Sequence, residues 1–308
     1  MKKMRNSVHL EGYVYDHSLQ IRECGPNSKT PGAKYIRGKI SIATDDNLLN
    51  IVDVNYHYVS PTTSKDTPNS TYNILNEIIK GNKKTVMNGG VDQATKVRID
   101  SAIGLNEWYD KDYQFISVKE NSGGFIHEVN ALADDEKDRN KFEVDMFITG
   151  TRIVEADPDR ELPEKLILKG AIFDFRKNLL PVEFSVVNER AIEYFDSLNI
   201  SQKNPVFTKV QGRQISTTVK KTIVEEGAFG DSVREVTSNR KDSIITWTAR
   251  EPYVFDDEET LLASELNEAM TRRETDLAAL KANAEAYRNT TTPTPTPATT
   301  IANSEFNF

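Results

Sequence analysis

Asn6-Ser7-Val8-His9-Leu10-Glu11-Gly12-Tyr13-Val14-Tyr15-Asp16 is the stretch whose reading decides the fold. Val8, Leu10, Gly12 and Val14 fall on one side of a period-two pattern and His9, Glu11, Tyr13 and Tyr15 on the other, which describes a strand with one face in a core and one in water. Gly12 suits a strand that bends sharply, because a residue without Cβ lets the backbone coil into a closed barrel. Beyond the turn-rich residues 25–32, Tyr35-Ile36-Arg37-Gly38-Lys39-Ile40-Ser41-Ile42-Ala43-Thr44 is a second strand. Residues 50–59 are a third, with Val52, Val54, Tyr56 and Tyr58 on one face and Ile51, Asp53, Asn55, His57 and Val59 on the other. The period then changes: Ile74, Leu75, Ile78 and Ile79 follow helical spacing within 70–81, between a Ser/Thr start and a Gly stop. Two more strands, over 94–108 and 114–129, are separated by turn residues 109–113, and the second is interrupted at Ser122-Gly123-Gly124.

Three strands, a helix and two strands is the order of an OB-fold barrel. On Asn6, Val8, Leu10, Gly12 and Asp16, on the strand Ile40-Ser41-Ile42-Ala43-Thr44 and on the hydrophobic third strand carrying Tyr56, roughly the first 125 residues resemble a bacterial or bacteriophage single-stranded DNA-binding protein. The resemblance implies sequence-tolerant coating of unpaired DNA in replication or recombination. That family often places tryptophan on its binding face, where this chain has tyrosine, so the resemblance carries a stacking role to Tyr56 by position alone.

At 308 residues, length predicts about two domains. With 28% charged residues, a mean hydropathy of -0.55 and no apolar run approaching the roughly 20 residues of a membrane helix, the chain reads as soluble. The basic start Met1-Lys2-Lys3-Met4-Arg5 is not followed by a signal-peptide core, so a cytoplasmic location is expected, in the host if the source is a phage. One cysteine, Cys24, and four scattered histidines give neither a disulfide framework nor metal-ligand spacing, and neither metal nor cofactor is expected. The net charge of -8 opposes a polyanion until its distribution is considered. Residues 251–308 hold 4 basic and 11 acidic side chains, whereas residues 1–100 hold 14 basic and 10 acidic, a net +4.

After an acidic bridge at 133–140 the strand grammar restarts. Residues 142–154 alternate and contain Gly150, again where a barrel strand bends; 165–176 and 181–187 are the next strands; 189–198 is a short helix; 205–219 and 243–250 are strands flanking a long Gly-containing insertion over 225–241. The expectation is mainly β: tandem OB-like barrels over 1–130 and 141–252, then an acidic amphipathic helix over 256–288. Acids at 256–259 would favour that helix's N-terminus. Its stripe, Leu262, Leu266, Ala269, Arg273, Leu277, Leu280, Ala284 and Tyr287, is interrupted by Arg273, and both docking on a barrel and self-association are open for it. The Thr/Pro repeat from 289 cannot bury a core and is expected to be a disordered linker. Its end, with Glu305, Phe306 and Phe308, resembles the partner-docking tip of the same family, through which replication or recombination proteins would be recruited; an inert end is the competing reading.

Catalytic signatures are lacking. Gly32-Ala33-Lys34-Tyr35-Ile36-Arg37-Gly38-Lys39-Ile40 has five residues between its glycines and no Ser/Thr after the lysine, so it is a strand and not a phosphate loop. No hydrolase or zinc motif occurs, and the chain is expected not to be an enzyme, a metal-dependent nuclease being the least implausible exception. The candidate nucleic-acid contacts are Tyr13, Tyr15 and His57, which alternate away from core valines; Tyr35, Arg37 and Lys39, which share a strand face able to stack a base and neutralise phosphate; Tyr56; and Lys83, Lys84, Lys96 and Arg98, which help make the first domain basic. Tyr56 and Tyr58 read equally as core, the Tyr35 face as a solvated one, and Trp108 with Tyr109 as a plug for one end of the barrel. An interaction or virion-structural protein whose barrels bind protein is the rival reading.

Overall fold

The alternating first segment forms β1 (Asn6–His17), with Val8, Leu10, Gly12 and Val14 buried as expected. The structure is a computed structural model that describes residues 4–26, 28–158, 162–225 and 232–291. After β1 come β2 (Gln20–Glu23), β3 (Lys34–Ala43), β4 (Ile51–Val59), α1 (Ser70–Ile79), α2 (Val86–Gly89), β5 (Lys96–Tyr109) and β6 (Phe115–Glu128). β1 pairs with β3, β3 with β4, β4 with β6, β6 with β5, and β5 with β1, which closes a five-stranded ring; every pairing is antiparallel except β4–β6. Closure satisfies the backbone groups that an open edge would leave unpaired. Gly12 lies where the ring tightens: a Cβ there would stand 2.0 Å from the carbonyl oxygen of Ala43 on β3. α1 is capped by Asn69, one residue before the expected Ser/Thr start, and buries Thr71, Tyr72, Leu75 and Ile78.

β2 departs from the expectation. It is a short edge strand, exposed throughout, that pairs with the start of β3 and precedes the turn-rich residues 25–32, where no strand was expected. α2 is likewise unexpected; Thr85 and Asn88 close it with a capping box.

The same connectivity recurs in β7 (Asn140–Val154), β8 (Lys165–Phe173), β9 (Leu179–Val186), α3 (Glu189–Ser197), β10 (Val206–Glu225) and β11 (Ser232–Thr248), with a parallel β9–β11 contact closing the ring. Gly150 sits at the register irregularity of β7 against β8. The expected insertion over 225–241 is largely ladder, since β10 and β11 stay paired from Val210↔Thr248 out to Glu225↔Ser232. The barrels share a strand pairing, β1 with β7, from Asn6↔Val144 to Leu10↔Asn140. A buried amide network fixes β10 against the first barrel. Asn121 and Gln214 exchange two side-chain hydrogen bonds of 2.7 Å, Asn140 Nδ2 donates to the Gln214 carbonyl at 2.6 Å, and Asn50 Oδ1 accepts from the Ser216 N–H at 2.7 Å.

α4 (Ala263–Thr291) starts later than expected. Asp256 has φ of 64° and lies in a turn, and its carboxylate accepts from the Ala263 N–H at 2.9 Å, so the acidic run leads into the helix without forming its first turn. Leu266 and Ala269 pack with Phe147, Phe173 and Phe207 of the second barrel. Arg273, which looked like a break in the stripe, donates to both carboxylate oxygens of Glu107 on β5 at 2.6 and 3.2 Å and ties the helix to the first barrel. The helix continues through 291, into the expected linker, and residues 292–308 lie outside the described residues. Among the described residues no helix is long and apolar enough to cross a membrane.

Candidate functional site

The outer face of β2, β3 and β4 gathers the first group of expected residues. Its geometry turns on a bulge. Ile36 aligns with Val59 and Gly38 with Tyr56, so His57 and Tyr58 together oppose Arg37. The extra residue inverts the side to which every later side chain points. Val59 therefore enters the core, Tyr56 is 2% exposed and Tyr58 is 54% exposed. Tyr58 stacks on Tyr35, with ring centroids 4.8 Å apart and planes at 25°. Arg22 on β2 stands opposite Tyr35, its guanidinium donating to Gln20 Oε1 at 2.8 Å, and Gln20 stands opposite Arg37, so both arginines occupy strand positions next to the ring pair. Among the described residues neither Arg22 nor Arg37 has a carboxylate partner.

The stacking role expected of Tyr56 is thus corrected: its ring belongs to the core, burial pushes its phenol well above the usual range, and its hydroxyl has no partner among the described residues. Lys39 and His57 are on the outer face but engaged. Lys39 Nζ meets Asp53 Oδ2 at 3.1 Å, the Ser41 hydroxyl donates to Asp53 Oδ1 at 2.7 Å, and Glu120 is shared by His57 and the Asn55 amide.

The second group is elsewhere. Tyr13 aligns with Ala43 of β3 and with Lys96 of β5, whose Nζ is 5.8 Å from the Tyr13 ring centre. Ala43 is eight residues along β3 from Tyr35, about 26 Å of strand, so Tyr13 and Tyr35 do not form one platform. Tyr15 occupies the irregularity between Val14 and Asp16 and is half-buried. Lys83 pairs with Glu128, and Arg98 lies 3.5 Å from Asp100. Lys84 and Lys96 have no carboxylate partner among the described residues. Glu305, Phe306 and Phe308 lie outside the described residues.

A third surface was not anticipated. The outward positions of β8 and β9 floor a groove of about 770 Å³, entered by Arg152 from β7, Lys165 and Lys169 from β8, Lys241 from β11 and Lys119 from β6 of the first barrel. Glu183 and Asp242 temper it: Lys165 Nζ lies 2.8 and 2.9 Å from the two Asp242 oxygens, and Lys169 lies 3.6 Å from Glu183. Lys119 donates to the Glu183 carbonyl at 2.7 Å and sits 4.6 Å over the Phe184 ring. Removal from water lowers its pKa to about 8, against the pull of Asp242 and Glu183 and with the help of Lys165. The signal was in the sequence: Lys165, Ile167 and Lys169 alternate on one strand face.

Among the described residues no group of three or more His, Cys, Asp or Glu could hold a metal ion. Cys24 is a free, half-buried thiol.

The model of the YorF family matches residues 5–283. No curated protein matches the chain. Among solved structures the chain is similar to a deletion mutant of the single-stranded DNA binding protein from Thermus aquaticus, at 11% identity and a TM-score of 0.46, over 84% of this chain and 100% of that one.

Proposed function

We propose that this chain, which belongs to the YorF family, binds single-stranded DNA with little regard to sequence and does so stoichiometrically, as a non-enzyme. The observation that carries the reading is the Tyr35–Tyr58 stack on an outer strand face that also holds Arg22 and Arg37, neither of which has a carboxylate partner among the described residues. Every unpaired base offers a π-face to such rings, and guanidinium groups beside them neutralise the phosphates, which gives affinity without base-edge readout. A duplex hides its base faces, so the same surface discriminates against it. The role we assign is coating and protecting unpaired DNA in phage replication or recombination, supported by the resemblance in the first three strands.

The test is anisotropy of labelled single-stranded and duplex oligonucleotides across a salt series. Single strands should bind more tightly, and four or five neutralised phosphates should give a log-log salt slope of about -3. Equal affinity for duplex, or binding indifferent to salt, refutes the reading and favours barrels that bind protein.

A further inference from the structure

Trp108 does not plug the barrel. It lies on the outer side of the β5–β6 hairpin, 38% exposed. Asn106 aligns with Val118 and Trp108 with Ile116, so these four side chains share one face of the hairpin. That face borders a space of about 250 Å³, closed by Val52 and Asn55 of β4 on one side and by Ile215 and Lys241 of the β10–β11 hairpin on the other. The Asn121–Gln214 amide pair also borders it. Lys119, Lys241, Asp242 and Ser243 line this space and the basic groove of the second barrel alike, so the two adjoin. Three carboxylates reach the space, and each is engaged: Asp53 by Lys39, Ser41 and, at 3.6 Å, Lys241, Glu120 by His57 and Asn55, Asp242 by Lys165 and Ser185.

We propose that this space takes one unpaired nucleobase against Trp108 and directs its phosphate toward Lys119 and Lys241 at the edge of the basic groove. The proposal rests on the single-stranded DNA reading and adds a second stacking position, between the barrels. A nucleotide asks for a flat apolar wall, polar partners for its edge and cations for its phosphate. The space offers them in Trp108 with Val118 and Ile215, in the Asn106 amide and the Asn55 amide oxygen, and in the two lysines. At about 250 Å³ it lies below the roughly 300–1,000 Å³ of drug-sized pockets, which suits a single base.

The chain has two tryptophans, and Trp247 lines a different cavity, beside α3. In the Trp247→Phe variant Trp108 is therefore the only indole. Titration with an unlabelled thymidine oligonucleotide should quench its emission and saturate at the stoichiometry found by anisotropy with a labelled copy. Trp108→Ala should lower affinity by about 5- to 140-fold, the range of one base stack, with an unchanged melting curve; Trp108→Phe, which keeps a ring, should lose less. If anisotropy shows binding while Trp108 emission stays constant and Trp108→Ala binds as wild type, this site is wrong and the single-stranded DNA reading stands. If no oligonucleotide binds at all, both fall.

Discussion

Replacing Tyr58 by Ala separates the surface reading from the core reading of the third strand. Tyr58 is 54% exposed and its neighbour Tyr56 2%, two residues apart on one strand. Loss of the Tyr35–Tyr58 stack should cost the fold about 0.5–1.5 kcal/mol, the worth of an aromatic pair beyond its burial. Loss of one base stack should cost binding about 1–3 kcal/mol, or 5- to 140-fold in Kd at 1.4 kcal/mol per decade. Tyr56→Ala should do the reverse: about 3–5 kcal/mol lost from stability, as for other large aromatic truncations in a core, and unchanged affinity per folded molecule. Tyr56→Phe sharpens the contrast, because the buried hydroxyl has no partner among the described residues and its removal should stabilise the fold by about 1 kcal/mol. Urea melts followed by circular dichroism, with anisotropy at low salt, measure both quantities. A folded Tyr58→Ala protein within twofold of wild-type affinity refutes the platform.

Changing Arg22 and Arg37 together to Ala should flatten the log-log salt slope by about 1.4, at about 0.7 per phosphate contact, whereas Lys39→Ala, its charge already held by Asp53, should change it less. Lys119 titrates near pH 8, so raising the pH from about 7 to about 9 should weaken binding in wild type and much less in Lys119→Arg. Stability should move the opposite way: between about pH 8 and 10.5 the unfolded chain holds a proton that folded Lys119 has released, so the urea midpoint should rise with pH in wild type and lose that component in Lys119→Met. Arg273→Ala should release α4 from Glu107, read as faster proteolysis within the helix and a loss of about 1–3 kcal/mol for the carboxylate left without its partner.

The barrels were legible because closure leaves a period-two trace. Each ring strand must bury alternate residues, and Gly12 marks a place where the Ala43 carbonyl allows no Cβ. What escaped lacked that trace. β2 is exposed on both faces, so its four residues carry no alternation and merge with the Pro/Gly-rich turn after it. The outer β10–β11 ladder extends past the barrel, where Ser216, Thr217 and Thr218 have no core to face and polarity reads as loop. The late start of α4 was masked by Asp256, which caps the Ala263 N–H from outside the helix while its own φ of 64° forbids a helical turn.

The site was harder to read than the fold because a bulge and long-range ion pairs decide it. One extra residue at His57–Tyr58 turned Tyr58 outward and Val59 inward while Tyr56 kept the core register of Val52 and Val54, and no pattern of apolar residues announces it. The basic tally of the first hundred residues counted Lys39, Lys83 and Arg98 alike, yet the first two face acids 14 and 45 positions away in sequence and the third lies beside Asp100. Of the cations at the tyrosine stack, only Arg22 and Arg37 are free of carboxylates among the described residues. Two contacts would produce a salt slope of only about -1.4. A measured slope near -3 therefore requires two or three further phosphates to be neutralised, by Lys119, which has no carboxylate partner among the described residues, and by groove lysines that exchange Asp242 or Glu183 for phosphate. If Lys119→Ala, Lys165→Ala and Lys169→Ala together leave the slope unchanged, the strand passes over the first barrel alone.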